Sequence, residues 1–442
     1  MLLIKNCKVM VNGEFLERNI LIDDESGKIA RIVVASEMAS ADEVLDAEGN
    51  HAIPGAIDAH VHCREPGLTN KEDFLTASRA AAAGGVTTIL DMPNTKPATT
   101  TIKLLNEKRK LAAAKSIVNY GFHFGATASN LDEIRKAKNI AAVKVYMGSS
   151  TGDLLVTDEK ALEGIFSAGK TIAAHAESEE LIKANTEIFS EAEKSDPLEM
   201  HLRIRSNEVA EREVLRAAEM AKKNKAQLHI CHVSTKEEAE IIAASKKENT
   251  KLSCEATPHH LFLSADNEMA EKLGTYAKVN PPLRLKEDVA ALWQAISAGT
   301  IDMVATDHAP HLPAEKEQDY WNAPSGMPGL QTMLPLLLDA VNNGKLTLKQ
   351  LIKLTSENPA AVFRIQNKGK IARGYDADIT IVDLDKEKTI KNEAMLSKCG
   401  WTPFNWRKAK GAVAATIVNG KIIYRDDAII DEKTKGMEAV FG

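Results

Sequence analysis

The chain has 442 residues, 44% apolar and 27% charged, the proportions of an ordinary soluble globular protein with interior enough for a large barrel or two domains. A formal net charge of −6, with Lys and Arg scattered rather than banked, argues against nucleic acid as a partner and leaves small molecules as the expected ligands. Five thinly spread cysteines point to reduced thiols, no run approaches the ~20 apolar residues of a membrane span, and the start lacks a basic head before an apolar run, so cytoplasm is the expected compartment.

Residues 2 to 11 and 14 to 35 alternate as short strands, with Asn12-Gly13 and Glu25-Ser26-Gly27 as hairpin signals. From Ile53 the pattern changes to apolar strands separated by helical stretches. Strands are expected at 53–62, 86–92, 121–127, 141–147, 171–177, 226–233, 251–257 and 301–308, with helices such as 72–83, 100–114, 158–167, 208–222 and 235–247 between them. Eight strands alternating with helices predict an α/β fold, a (β/α)8 TIM-like barrel, whose functional residues collect at the carboxyl ends of the strands. Beyond Arg364 alternation returns at 378–383, 412–418 and 421–425, the last two joined at Asn419-Gly420. The two chain ends, 1–52 and 364–442, are expected to build one small discontinuous β-sandwich domain beside a barrel of residues 53–363. No fixed-period repeat or low-complexity tract interrupts this order.

The first barrel strand carries His60 and His62, which alternation puts on one face, roughly 7 Å apart. That is a chelating pair. Arg64 continues the parity and would set a planar guanidinium beside whatever the imidazoles hold. Taken alone, His-x-His on a strand is more often a pair of core histidines. Other ligand-type residues nevertheless fall near the ends of barrel strands: Lys144 in the fourth, His175 in the fifth, His232 in the sixth and Asp307 in the eighth. Four His, an Asp and a Lys gathered in this way predict a metal centre. An ammonium cannot ligate a cation, but in an apolar surrounding an amine is more readily neutral and can capture carbon dioxide as a carbamate, which offers two oxygens to two metals.

Several motifs together resemble the dihydroorotase family of the amidohydrolase superfamily, along nearly the whole chain. They are His-Val-His-Cys-Arg-Glu-Pro-Gly at 60–67, Asp-Met-Pro-Asn-Thr at 91–95, Cys-Glu-Ala-Thr-Pro-His-His at 254–260, Asn-Pro-Pro-Leu-Arg at 280–284, Ala-Thr-Asp-His-Ala-Pro-His at 305–311 and Met-Pro-Gly-Leu-Gln-Thr at 327–332. The resemblance is to the carboxylated-lysine type. It implies one zinc ion on His60, His62 and Asp307, a second on His175 and His232, and carboxylated Lys144 with a hydroxide bridging the two. Asp307 would also carry the proton to the leaving nitrogen, in the interconversion of (S)-dihydroorotate and N-carbamoyl-L-aspartate, the third step of pyrimidine biosynthesis.

For the substrate, the resemblance assigns Arg64 and Asn94 to its carboxylate, with Asn280 and His311 assisting and backbone near 324–326 reading the ring. A guanidinium and an amide suit a planar carboxylate. In the loop 147–153, Ser150 or Thr151 is expected to touch the substrate. Cys231 and Glu255 are candidates for an additional metal, although strict alternation turns Cys231 and His229 away from His232. His259 and His260 are expected to support the ligands, while His51, His123 and His201 read as structural. A homo-oligomer, in the first instance a dimer, is expected, and association with aspartate transcarbamoylase is compatible with the resemblance. Two rivals stand beside this reading. An allantoinase or hydantoinase would share the barrel and metals but not need Arg64 with Asn94 for a free carboxylate, and a non-catalytic scaffold for aspartate transcarbamoylase would have lost ligands that this chain retains.

Overall fold

Asn12 and Gly13 both take positive φ, 53° and 88°, as a tight turn between right-twisted strands requires, so β1 (Leu2–Val11) folds back antiparallel on β2 (Glu14–Asp23). The computed structural model describes residues 1–37, 40–150, 154–189, 197–248 and 251–442. Beyond β2, β3 (Lys28–Val34) continues the antiparallel order, while β4 (Glu43–Asp46) and β5 (His51–Pro54) add parallel to β1.

The expected strand 53–62 is two strands. Pro54 ends β5, and after Gly55 the chain turns into the barrel as β6 (Ala56–Val61). At Gly55 a Cβ would meet Thr87 Oγ1 at 2.2 Å, so the bend needs glycine. The other barrel strands are β7 (Val86–Asp91), β8 (Asn119–Phe122), β9 (Phe124–Gly125), β10 (Val143–Tyr146), β11 (Thr171–His175), β12 (Gln227–Ile230), β13 (Leu252–Ala256) and β14 (Met303–Val304). All pair parallel, β6 through β8 in one run and β9 through β14 in another. The third barrel strand is broken at His123, whose Nε2 bonds to Ala59 O across the interior, and a bridge between Val61 and His308 closes the circle. Helices start where the sequence offers caps. Asp73 and Thr76 form a capping box ahead of Phe74–Ala83, and Thr235 and Glu238 form another ahead of Lys236–Lys247.

After the barrel, β15 (Ile379–Thr389) pairs with β5, and β16 (Lys408–Val418), β17 (Lys421–Arg425) and β18 (Ala428–Ile429) follow antiparallel. Asn419 and Gly420 again supply two positive φ angles for the turn. Both chain ends therefore meet in one nine-stranded sheet, which shares a core of Ile4, Val9, Ile20, Ile379 and Ile417 among others.

The last residues leave that sheet and run beneath the barrel. Ala439 N bonds to Tyr120 O and Gly442 N to Arg364 O, and Phe441 packs on the interior group that includes Ile57, Leu90, Ala173 and Phe363. The fit is close: a Cβ on Gly121 would lie 2.6 Å from the Phe441 ring. Phe441 is only partly buried, so Phe441→Ala is expected to cost about 1–3 kcal/mol, less than the ~3–5 of a fully buried ring. Urea unfolding would show a lower midpoint, with metal content and kcat/KM unchanged because the far end of the barrel is untouched.

Candidate metal centre and substrate pocket

His60, His62, Lys144, His175, His232 and Asp307 are all buried, and the barrel brings their side chains to its carboxyl end. Ring centroids lie 5.3 Å apart for His60 and His62, 5.4 Å for His60 and His232, and 4.7 Å for His175 and His232. Lys144 Nζ is 2.9 Å from Cys231 Sγ and 5.1 Å from the centre of the Tyr146 ring. Asp307 Oδ1 lies 3.0 Å from His62 Nε2 and 3.2 Å from His60 Nε2.

Simple strand parity does not hold these residues in place. β6 ends at Val61 and β12 at Ile230, so His62, Arg64 and His232 stand beyond regular strand. Arg64, His232 and Asp307 take φ of 59°, 37° and 46°, a left-handed backbone uncommon for such side chains and a form of strain that collects at functional sites. The alternation argument for Cys231 fails at His232: Cys231 keeps the inward face it shares with His229, its Sγ grouping with His60 and Glu255, and left-handed His232 breaks the alternation and joins them there. His229 contacts Glu255 too, its Nε2 3.0 Å from Oε2, and its Nδ1 bonds to Ser253 Oγ.

The donor set fits a divalent cation. His62 Nδ1–H donates to Asn94 Oδ1 at 2.7 Å, which turns the Nε2 lone pair on the Asp307 carboxylate. Burial holds this imidazole neutral, pushing it down to about 3. Two lone pairs 3.0 Å apart repel unless a cation joins them. His175 Nε2 likewise faces Glu177 Oε2 at 2.8 Å, leaving Nδ1 2.9 Å from His232 Nε2, and burial holds both rings neutral, the form that ligates metal. His232 Nδ1 is buried without a hydrogen-bond partner among the described residues. His60 sits between Asp307 and Glu255. Burial is the largest single effect and opposes a charge there, but Asp307, Glu255 and the contact with Cys231 together overcome it and push the imidazole up to about 10, so the spot favours positive charge. The Asp307 carboxyl falls far below its ordinary range, because His60 and His62 overcome the effect of burial. Among the described residues, His60, His62 and Asp307 form one group of ligand atoms within 4.8 Å of one another, and His60, Cys231 and Glu255 form a second.

A cavity opens beside this cluster, lined by His62, Arg64, Asn94, Ser150, Asn280, Asp307, Ser325 and Gly326 among others. Arg64 is buried, with Nε donating to Pro310 O at 3.2 Å and Nη2 3.1 Å from His311 Nε2. His311 does not line the cavity. It stands behind Arg64, with Lys71 Nζ 3.1 Å from Nδ1, and burial beside Arg64 and Lys71 holds it neutral. Asn280 Oδ1 is buried with no partner among the described residues. Ser150 lies at the cavity wall, and Thr151 through Asp153 fall outside the described residues. His259 and His260 sit on the short helix Pro258–Phe262; His260 Nε2 is 3.1 Å from both Pro281 O and Pro282 O.

Sequence reasoning passed over Glu177, which backs His175 and pairs with Arg205. Burial alone would raise its carboxyl, but Arg205 and His175 bring it down to about 2. The signal was available: Glu177 stands two residues after His175, and a ligating histidine commonly gives its second nitrogen to a carboxylate. Asp58 was missed as well; it ties Thr306 to β6 through Thr306 N at 3.0 Å and Thr306 Oγ1 at 2.6 Å, one residue before Asp307.

Barrel, flanking sheet and buried His/Asp cluster define a cyclic-amide type of hydrolase, and the chain belongs to the amidohydrolase family, whose model matches residues 52–423. Among curated relatives, a dihydroorotase of Methanosphaera stadtmanae is 41% identical over 98% of this chain and 99% of its own length, and one of Methanosarcina acetivorans is 40% identical over 98% and 94%. Among solved structures, an L-hydantoinase (dihydropyrimidinase) from Arthrobacter aurescens superposes with TM-score 0.94 at 32% identity, covering 99% of both chains. A dihydropyrimidinase from Brevibacillus agri gives 0.91 at 27%, covering 100% of this chain and 99% of its own. Among the described residues no helix is long and apolar enough to cross a membrane.

Proposed function

We propose that the chain is a dihydroorotase, interconverting (S)-dihydroorotate and N-carbamoyl-L-aspartate in the third step of pyrimidine biosynthesis. The observation that carries the reading is Arg64: a buried guanidinium, with Asn94, on the wall of the cavity that His62 and Asp307 also line. A hydantoin or dihydrouracil ring has no carboxylate to meet it, so this pocket favours the name borne by the curated relatives over that of the superposed structures.

In this reading His60, His62 and Asp307 would hold one zinc and His175 and His232 another, with Lys144 as a carbamate supplying further oxygen ligands; Cys231 and Glu255, with His60, are the candidates for a further ion. Bound zinc would acidify a water and polarise the scissile carbonyl. The chain's own residues supply the rest. Arg64 and Asn94 accept the carboxylate, which fixes the ring's orientation, and Asn280 Oδ1 accepts a ring N–H. Asp307 takes the proton of the attacking water and delivers it to the leaving nitrogen. His311 keeps Arg64 in place, and Glu177 orients His175. Purified protein assayed against dihydroorotate, dihydrouracil, hydantoin and allantoin, with metal analysis, tests the assignment; preference for any ring without a carboxylate overturns it.

Arg64→Met gives a sharper test. Removing one partner of a buried Arg–carboxylate pair costs about 2–5 kcal/mol, which as transition-state binding is roughly 30- to 5,000-fold in kcat/KM. That loss is expected on dihydroorotate, with hardly any change on dihydrouracil, and Arg64→Lys should recover only part because it restores charge without the fork. Equal proportional losses on both rings would assign Arg64 to the support of the metal site instead.

A further inference from the structure

Lys316 is 0% exposed, and its Nζ donates to three backbone carbonyls: Lys278 O at 3.0 Å, Pro324 O at 2.7 Å and Gly326 O at 3.1 Å. No carboxylate pairs with it among the described residues. For stability alone this is a costly choice, since burying a charge is unfavourable and an apolar side chain could fill the space. The acceptors explain it. They lie in two separate segments, and both segments wall the substrate cavity: Val279 and Asn280 come directly after Lys278, and Ser325 and Gly326 directly after Pro324. Gly326 N also donates to Lys278 O, at 3.0 Å, so the same two segments are joined twice. His311, behind Arg64, stands 3.2 Å from Ser325 O. Three oxygens lie within hydrogen-bond reach of the Nζ, although burial and the nearby Lys278 push the amine well below its ordinary value, and carbonyls committed to Lys316 cannot turn into the cavity.

We propose that Lys316 is a positioning residue for the substrate. Its Nζ fixes the gap between segments 278–280 and 324–326, so that Asn280 and the facing segment meet the ring at the correct spacing, while Lys316 itself touches neither substrate nor metal. The chemistry requires such a gauge. A cyclic ureide presents alternating N–H and C=O groups around a rigid ring, and a misplacement of about 1 Å in a positioning group can cost ~10²-fold in rate. The short helix Pro313–Lys316, which carries the lysine, starts directly after His311 and Leu312, so one stretch of chain supplies both the support of Arg64 and the gauge for the ring.

The inference rests on the cyclic-amide reading of the site, and its test is separable from that reading. The substrate is dihydroorotate, or whichever cyclic amide the wild type hydrolyses if dihydroorotate fails, which would sink the dihydroorotase assignment alone. Lys316→Met keeps the length and removes the donors. The expected result is unchanged metal content and near-native melting, with kcat/KM lowered about 10- to 100-fold. The discriminating measurement is a double-mutant cycle with Asn280→Ala. If Lys316 acts by placing the Asn280 segment, the two losses overlap, and the double variant is scarcely worse than Asn280→Ala. Additive losses, loss of metal, or wild-type kinetics in folded Lys316→Met each overturn the proposal. If Lys316→Met does not fold, Lys316→Gln, with two donors, enters the same cycle; failure of both to fold makes the lysine purely structural and also overturns it.

Discussion

If Lys144 carries the proposed carbamate, Lys144→Ala is expected to lose bound metal and to lower activity by on the order of 10⁴ or more, since it removes together an electrophilic contribution of about 10²–10³ and an activated nucleophile. The structure gives the reason for so large an effect at a residue that cannot ligate as an amine. Lys144 lies in β10 opposite Ala173 of β11, is fully buried, and ends 2.9 Å from the Sγ of Cys231, which groups with His60 and Glu255. A carbamate on that nitrogen would carry two oxygens and a negative charge among neutral imidazoles, holding both ions at once. Alanine leaves a gap of that shape, so small carboxylic acids such as propionate should restore part of the metal and part of the rate. Metal analysis and kcat of the variant, with and without the acid, check this; full zinc occupancy and a wild-type rate in Lys144→Ala would show that no carbamate bridges the site.

Asp307→Asn should retain the fold and much of the metal yet turn over about 10²–10⁴-fold more slowly, the usual loss when an acid–base group is removed. The substitution is clean for a structural reason. Asp307 has φ of 46°, and asparagine accepts the left-handed region as readily as aspartate, so the backbone at the barrel's end need not move. The amide oxygen can still face His60 and His62, but it cannot take up a proton. Melting temperature, metal content and kcat are the measurements. A rate within a few-fold of wild type would mean that another group moves the proton.

Much of the fold and of the site was legible in the sequence, and the limits have physical causes. Apolar periodicity placed the barrel strands and the helices, because packing against a common core enforces it, and two Asn-Gly pairs located hairpins. The convergence of His60, His175, His232 and Asp307 is read from their positions near strand ends. Parity failed where regular strand stops: His232, left-handed just past β12, departs from the alternation that keeps His229 and Cys231 on the inner face, so all three reach the centre. The expected strand 53–62 divides at Pro54-Gly55, a turn pair visible in the sequence. Lys316 in Pro-Ala-Glu-Lys reads as a solvated helix end, since only the folded chain brings 278 and 324–326 around it.

The sheet shared by both chain ends carries a consequence for assembly of the molecule in the cell. β5 pairs with β1 on one side and with β15 on the other, so Pro54 must wait for Ile379 to be synthesised before its outer edge is covered. Until then a short apolar strand, Ala52 and Ile53 among its residues, presents unpaired backbone groups to every other nascent chain. Pairings this distant in sequence also close slowly. Overexpression faster than the barrel can form should therefore divert the protein into aggregates through this edge, and slower synthesis at low temperature should raise the yield of native protein more than any change in metal supply.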